Sequence, residues 1–197
     1  LGEAQEVLQR SLELAPNNAL ASRSLELLSQ QREITGGDVV LEEEAGVAFQ
    51  QGLASLDQHD YASAAAAFGR SRAQQETGLA AFYQGYARQL LGETRAATQD
   101  YQVALEAFPD SDIVLNNLGY AQMELGRFDL ALDYLRRAVA ANPDNAQAQL
   151  NLGLAYFAVQ RYEDALTHFA TAGSLDQQIT PTTERLIDEV RARLGEQ

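Results

Sequence analysis

The chain has 197 residues, and its 14 basic residues, all arginine, face 28 acidic ones, so that the formal net charge is −14. This charge repels nucleic acid and other polyanions, which disfavours a nucleic-acid-binding protein. The absence of cysteine excludes disulfides and thiol chemistry, and no apolar run approaches the roughly 18 residues of a membrane span. The composition predicts a soluble protein of the cytoplasm or periplasm, with the compartment left open.

The N-terminal residues 1–34 have apolar residues at helical spacing. A first stretch, residues 1–18, contains Pro16, and a second stretch, residues 19–34, is rich in leucine. Residues 35–43 contain a Gly-Gly pair that interrupts the pattern, which favours a short connector. The run Glu42-Glu43-Glu44 is then expected to begin a helix, because the helix dipole favours negative charge at an N-terminus.

Between residues 44 and 178 one spacing occurs four times. A glycine is followed after twelve residues by an alanine, four further on by an aromatic residue or leucine, and three further on by a small residue. The glycines are 33, 34 and 34 residues apart, and such a period is typical of a solenoid. The four sets are Gly52, Ala64, Phe68, Ser71; Gly85, Ala97, Tyr101, Ala104; Gly119, Ala131, Leu135, Ala138; and Gly153, Ala165, Phe169, Ala172.

Each period contains the pattern of two helices. In residues 112–145 the first helix is marked by Leu115, Leu118 and Leu125, the second by Leu132 and Leu135, and a turn is predicted at Gly126-Arg127-Phe128-Asp129. Proline ends a helix because it lacks an amide hydrogen. The prolines 109 and 143 are therefore expected to end second helices, and the segments Asp110-Ser111-Asp112 and Asp144-Asn145 to cap the next first helices. The predicted units are about residues 45–77, 78–111, 112–145 and 146–178.

A last helix is predicted over residues 180–195. Pro181 lies at its start, and Leu186, Ile187 and Val190 share one face, while the other face is charged. This pattern is typical of a capping helix, which covers the apolar flank of the last repeat and presents polar residues to water.

The spacing resembles that of the tetratricopeptide repeat, whose units are antiparallel helix pairs of about 34 residues. The resemblance implies an all-α fold, an α-solenoid forming a right-handed superhelix, with first helices lining a concave groove. The repeated glycine and alanine are then small because the helices of a unit cross closely there. Residues 1–34 are interpreted as the remnant of an upstream array of this kind, and the chain as a piece of a longer protein.

No catalytic or cofactor-binding set emerges from the sequence. His59 lies in the turn Asp57-Gln58-His59-Asp60, which has atoms able to bind a metal, but a solvated polar turn is the favoured interpretation. His168 has no cysteine or histidine at ligand spacing and is expected to be a partly buried or surface side chain. The pair Gly36-Gly37 lacks the context of a phosphate-binding loop. We therefore expect no enzyme, no cofactor and no metal site.

The resemblance directs attention to the concave groove. Asn117 and Asn151 occupy equivalent positions, and an asparagine amide both donates to and accepts from a peptide backbone. Neighbouring aromatic residues supply apolar contact area, although some are also expected to pack between units. The projected groove residues are Phe49, Gln50, Leu53, Phe82, Tyr83, Tyr86, Asn116, Asn117, Tyr120, Met123, Glu124, Gln147, Leu150, Asn151, Leu154 and Phe157.

Two functions are open from the sequence. The first is a non-catalytic interaction module, part of a larger bacterial protein or assembly, that binds a partner peptide or helix in its groove. The lysines that help Hsp70 and Hsp90 co-chaperones to bind acidic C-terminal tails are absent, so an amphipathic or apolar partner is expected. The alternative is self-association through residues 1–34, where Leu8, Leu12 and Leu14 lack a covering helix, in a scaffold that braces a larger enzyme or secretion machine.

Overall fold

The computed structural model describes residues 43–195. The interpretations of residues 1–34 and of the connector up to residue 42 lie outside this range. The described range contains nine α-helices and no strand. These are α1 (Glu43–Asp57), α2 (Tyr61–Gln74), α3 (Gly78–Leu90), α4 (Thr94–Ala107), α5 (Asp112–Glu124), α6 (Phe128–Ala141), α7 (Ala146–Ala158), α8 (Tyr162–Leu175) and α9 (Thr180–Gly195).

The helices form two compact units, one ending at Ser111 and the other beginning at Asp112. In the first unit α1 packs on α2, α2 on α3 and α3 on α4. In the second, the pairs α5–α6 and α7–α8 are each in close contact, and α9 packs on α8. The predicted fold class, all-α with consecutive antiparallel helix pairs, is confirmed. The finer division of the chain into repeat domains stays a prediction.

The repeated glycines lie where the two helices of a pair touch. Each glycine on a first helix faces the aromatic residue or leucine sixteen positions later on the second helix, so there is no room for a side chain. The expected reason for small residues at these positions is therefore confirmed. An added Cβ would lie 2.6 Å from Phe68 at Gly52, 3.0 Å from Tyr101 at Gly85, 2.7 Å from Leu135 at Gly119 and 2.6 Å from Phe169 at Gly153.

The turns inside the four pairs share one left-handed residue. His59, Gly92, Gly126 and Gln160 occupy equivalent positions and have φ angles of 59°, 78°, 71° and 61°. A residue in this conformation just after a helix allows the chain to reverse direction, and glycine adopts it without steric cost. The sequence prediction for the third turn is wrong at its end, because α6 already begins at Phe128.

One predicted N-terminal helix cap is confirmed, and the structure shows two further caps. The side chain of Asn145 accepts a hydrogen bond from the amide of Ala148 at the start of α7, as expected. Asp60 caps α2 and Thr77 caps α3 in the same way. These caps satisfy backbone donors that have no partner within the helix.

The cores of the two units differ in composition. In the first unit, Phe49, Phe68 and Tyr83 form an aromatic cluster with ring centroids 5.1 to 5.3 Å apart. In the second, the core consists mainly of alanine and leucine side chains, and α9 adds the buried Val190. The capping role of α9 is thereby confirmed. Helix α9 approaches α8 at Gly173, where a Cβ would overlap the hydroxyl of Thr183.

None of the helices in residues 43–195 combines the length and the apolarity that a membrane crossing requires.

Candidate functional site

The first-unit residues of the predicted groove fall into two groups. Phe49, Phe82 and Tyr83 are buried in the aromatic core, so as placed they offer no surface to a ligand. Their burial follows from the packing of α1 to α4 on one another, which the projection of a single helix could not include. Leu53 and Tyr86 are partly exposed, as is Gln50.

In the second unit the predicted residues occupy the first helices, α5 and α7. Tyr120, Met123, Gln147, Leu154 and Phe157 are partly exposed, and Glu124 is exposed. The other predicted residues of these two helices, Asn116, Asn117, Leu150 and Asn151, are buried.

A chain of side-chain amides joins α7 to α5. The amide nitrogen of Asn151 donates to Oδ1 of Asn116 at 2.9 Å, and the amide nitrogen of Gln147 donates to Oδ1 of Asn151 at 3.1 Å. These bonds fix the orientation of the Asn151 amide, because its nitrogen and its oxygen are both engaged. The structure thus brings three of the predicted residues into one hydrogen-bonded array.

Asn117 lies next to this array in sequence but is not part of it. The residue is 9% exposed, and its amide nitrogen is buried with no hydrogen-bond partner in the described part of the chain. A buried donor without a partner costs about 1–3 kcal/mol. A ligand carbonyl that reached this nitrogen after a small rotation of the side chain would recover that cost.

Tyr120 lies on the same helix as Asn117. Burial and the nearby carboxylate of Glu124 raise the pKa of the Tyr120 hydroxyl, which also bonds to Glu124. The hydroxyl donates its proton to the carboxylate of Glu124, while the ring offers apolar contact area.

The two histidines agree with the interpretations favoured by the sequence. His59 is exposed in its turn and bonds through Nδ1 to the hydroxyl of Tyr61 at 3.2 Å. His168 is partly buried and bonds through Nδ1 to Gln149. Across residues 43–195 no group of three or more histidine, cysteine or carboxylate side chains is arranged to hold a metal ion.

Two polar clusters were missed by the sequence reasoning. The carboxylate of Asp100, which is 5% exposed, contacts Arg72 on α2 and Arg88 on α3, both at 2.6 Å. In the second unit, Oδ2 of the buried Asp112 accepts bonds from Asn142 and Asn145 at 3.0 and 2.7 Å. Both clusters join residues distant in sequence, so no local pattern indicates them, and both position helices rather than a ligand.

The fold and these surfaces define a class of protein: helix-pair repeats whose partly exposed first helices carry amides and aromatic rings. The sequence of residues 49–112 and 116–178 matches the family profile described as tetratricopeptide repeat. The matched segments comprise more than half of the chain, which therefore belongs to the tetratricopeptide repeat family. The family is one of protein-interaction modules, so membership supports a general protein-binding role.

Several solved structures have the same fold. MamA (residues 41 to the end) from Desulfovibrio magneticus RS-1 has 19% identity and a TM-score of 0.66, over 80% of this chain and 96% of that one. The first repeat domain of Spaghetti (RPAP3), bound to the HSP90 peptide SRMEEVD, has 22% identity and a TM-score of 0.57, over 60% and 93%. The APC/C hetero-tetramer Cut9–Hcn1 has 20% identity and a TM-score of 0.71, over 97% and 39%. No curated protein sequence is significantly similar to the chain.

Proposed function

We propose that the chain is a non-catalytic protein-interaction module that binds an extended apolar peptide or an amphipathic helix of a partner protein on the first helices of its second unit. The observation that carries the proposal is the amide array of Gln147, Asn151 and Asn116, together with the unpartnered nitrogen of Asn117. An amide held at a fixed position suits recognition of a peptide backbone. The partly exposed Gln147 is held in this way, because its nitrogen bonds to the buried Asn151, which in turn bonds to Asn116.

The side chains above the amides supply the apolar part of the contact. Tyr120 and Met123 on α5 and Leu154 and Phe157 on α7 are partly exposed on the helices that carry the array. Aromatic residues and methionine are enriched at protein interfaces, because they give large contact area together with some adaptability. A partner with apolar side chains at regular spacing would fill this surface.

The charge of the proposed surface disfavours acidic partners. Its exposed charged residue is Glu124, and the projected set contains no arginine or lysine. The chain also carries a net charge of −14, which repels acidic segments at long range. We therefore expect a neutral or basic partner rather than an acidic C-terminal tail.

The test compares affinities for a purified partner obtained by affinity capture. Asn117→Ala is expected to raise the dissociation constant about tenfold, the effect of losing one well-formed hydrogen bond. Asn151→Ala is expected to raise it as well, because it releases the amide of Gln147 from its fixed position. Gln102→Ala, at an exposed position on the second helix α4, is the matched control and should leave the affinity unchanged. Unchanged affinity in both asparagine variants, with the fold intact by circular dichroism, would exclude this surface.

The alternative function, self-association, has one observation in its favour. Val47 on α1 is 51% exposed beside a pocket lined by Gln51, Arg70 and Gln74. The residues at the equivalent positions of α3 and α7, Ala80 and Ala148, are fully buried. Helix α1 therefore exposes a face whose equivalents on α3 and α7 are buried. A second copy of the chain is a candidate to cover this face of α1.

Light scattering on the full chain distinguishes the two functions. If copies associate through α1, Val47→Asp should convert an oligomer into a monomer, whereas Ala62→Asp, at an exposed position on α2, should not. A chain that is monomeric with and without residues 1–34 would exclude self-association and leave the interaction module unaffected.

A further inference from the structure

A second polar surface in the second unit is centred on the ring of Tyr156. His168 of α8 stacks on this ring with centroids 5.4 Å apart and planes inclined by 13°. The guanidinium carbons of Arg161 and Arg136 lie 4.6 and 5.4 Å from the ring centroid. Three basic side chains thus converge on one buried phenol, in a chain with only 14 arginines and two histidines.

Protein atoms occupy only part of the hydrogen-bonding capacity of these three groups. Arg136 donates from Nε to the hydroxyl of Tyr156 at 2.9 Å, and Arg161 uses Nε and one terminal nitrogen on a single oxygen of Asp164. In residues 43–195, both terminal nitrogens of Arg136 and the remaining one of Arg161 have no acceptor. Arg136 and Arg161 are both exposed, so these donors face solvent.

The imidazole of His168 is oriented by its neighbour on α7. The amide nitrogen of Gln149 donates to the carbonyl of Pro143 at 2.8 Å, which leaves Oε1 of Gln149 to accept from Nδ1 of His168 at 2.8 Å. Nδ1 therefore carries a proton, and Nε2 is the atom left for another partner. If Nε2 takes up a proton from solvent, the imidazole becomes a third cationic donor of the cluster.

We propose that Arg136, Arg161 and His168 form a binding site for an oxyanion, a carboxylate or phosphate group carried by a partner protein. The guanidinium carbons lie within about 10 Å of each other, since both are close to the same ring. Guanidinium groups bind carboxylate and phosphate through paired donors, and Tyr156 holds both in place by cation–π contact. The site uses α6, α8, the turn before α8 and Tyr156 of α7, and none of its residues belongs to the residues proposed to bind a peptide on α5 and α7.

The charge balance of the cluster favours one bound anion. Asp164 neutralises Arg161, so Arg136 supplies the net positive charge. His168 adds a second positive charge on protonation; the charged groups that act on it are Asp164 of its own helix and Arg136 of α6. An anion would stabilise the imidazolium, so binding is expected to be tighter at pH 6 than at pH 7.5.

The test follows the ring signals of His168 and Tyr156 by NMR in the full chain. The probes are inorganic phosphate and a short peptide with one glutamate and no net charge, which separate the two sources of the oxyanion without the repulsion expected for an acidic segment. A saturable shift with either probe, together with a higher titration midpoint of His168 at saturation, is expected. Arg136→Gln should weaken binding at least tenfold. The control is Arg185→Gln at an exposed position on α9, which removes the same charge and should leave binding unchanged.

Each outcome decides the proposal. Binding of phosphate alone supports a phosphate site, and binding of the peptide, with or without phosphate, supports a carboxylate site. Linear shifts without saturation for both probes would overturn the site. Equal affinity in the wild type and Arg136→Gln, with the stacking of His168 on Tyr156 retained, would also overturn it.

Discussion

Gly153 on α7 and Phe169 on α8 are in such close contact that a Cβ on the glycine would lie 2.6 Å from the phenylalanine ring. The same relationship recurs in each of the four helix pairs. These small residues therefore serve packing and not binding. They also fix which side chains of each first helix face away from the second helix, and so which residues remain for a partner.

This contact predicts the effect of Gly153→Ala. The added methyl group would overpack the interface, at a cost of about 1–3 kcal/mol, partly offset by the better helix propensity of alanine, so that a net loss of about 1 kcal/mol is expected. Chemical denaturation measures the change in the free energy of unfolding.

The control for this prediction is a double-mutant cycle with Phe169→Ala. Once the ring is removed, Gly153→Ala should cost nothing, because the atoms that it would meet are gone. Additive losses in the double variant would show that the glycine is not constrained by the ring.

The left-handed residue Gln160 gives a second prediction. Its φ of 61° is unfavourable for a residue with a Cβ, so Gln160→Gly should stabilise the protein by about 1 kcal/mol. The measurement is the thermal unfolding midpoint. Gln160→Ala is the matched control and should give no such gain, since alanine has the same steric conflict. If alanine stabilised the protein as much as glycine, the destabilisation at this position would come from the glutamine side chain and not from the backbone conformation.

The ion cluster of the first unit gives a third prediction. Asp100→Asn removes the charge between Arg72 and Arg88 while keeping the shape of the side chain. We expect a loss of about 3 kcal/mol in the free energy of unfolding, because two partly buried guanidinium groups lose their buried partner and keep only the exposed carboxylates of Glu76 and Glu93. Asp188→Asn, which breaks an exposed pair with Arg191, should cost less than about 1 kcal/mol. Equal effects would contradict the structural role of the buried cluster.

The pKa of His168 gives a fourth prediction, on pH dependence. Burial lowers this pKa below its ordinary value of 6.5; Asp164 opposes the shift and Arg136 adds to it. Between the lowered pKa and 6.5, the unfolded chain binds more protons at this residue than the folded one. Stability from this group is therefore complete above pH 6.5 and is lost as the pH falls below that value.

The measurement compares the unfolding free energies of the wild type and His168→Gln from pH 7.5 to 5. The variant keeps the neutral polar character but cannot be protonated, so it should lose less stability on acidification. A wild type and variant with parallel profiles would show that the pKa of His168 is not lowered in the fold.

Much of the fold was predictable because helices and helix pairs are indicated by residues that lie close together in the sequence. The spacing of Gly119 and Leu135 predicts a helix pair directly, and Asn145 predicts a helix start. The ion pair of Asp100 with Arg72 could not be predicted, because it joins positions 28 residues apart on different helices. The left-handed conformation of His59 and Gln160 could not be predicted from the residue type, because neither residue is a glycine.

The candidate site was only partly predictable for a related reason. Helical projection gives the direction of a side chain but not what packs over it. Phe82 and Tyr83 were therefore projected into the groove, although both are buried in the aromatic core. Asn116 and Asn151 were projected separately, and their hydrogen bond depends on how α5 and α7 pack together.

Site-specific photo-crosslinking tests the proposed binding surface most directly. A photoreactive phenylalanine analogue replaces either Tyr120 on the first helix α5 or Tyr134 on the second helix α6, two partly exposed tyrosines of the same unit. If the partner binds on α5 and α7, it should crosslink from position 120 and not from position 134, and Asn117→Ala should reduce the yield. Crosslinking from position 134 alone would contradict this binding surface.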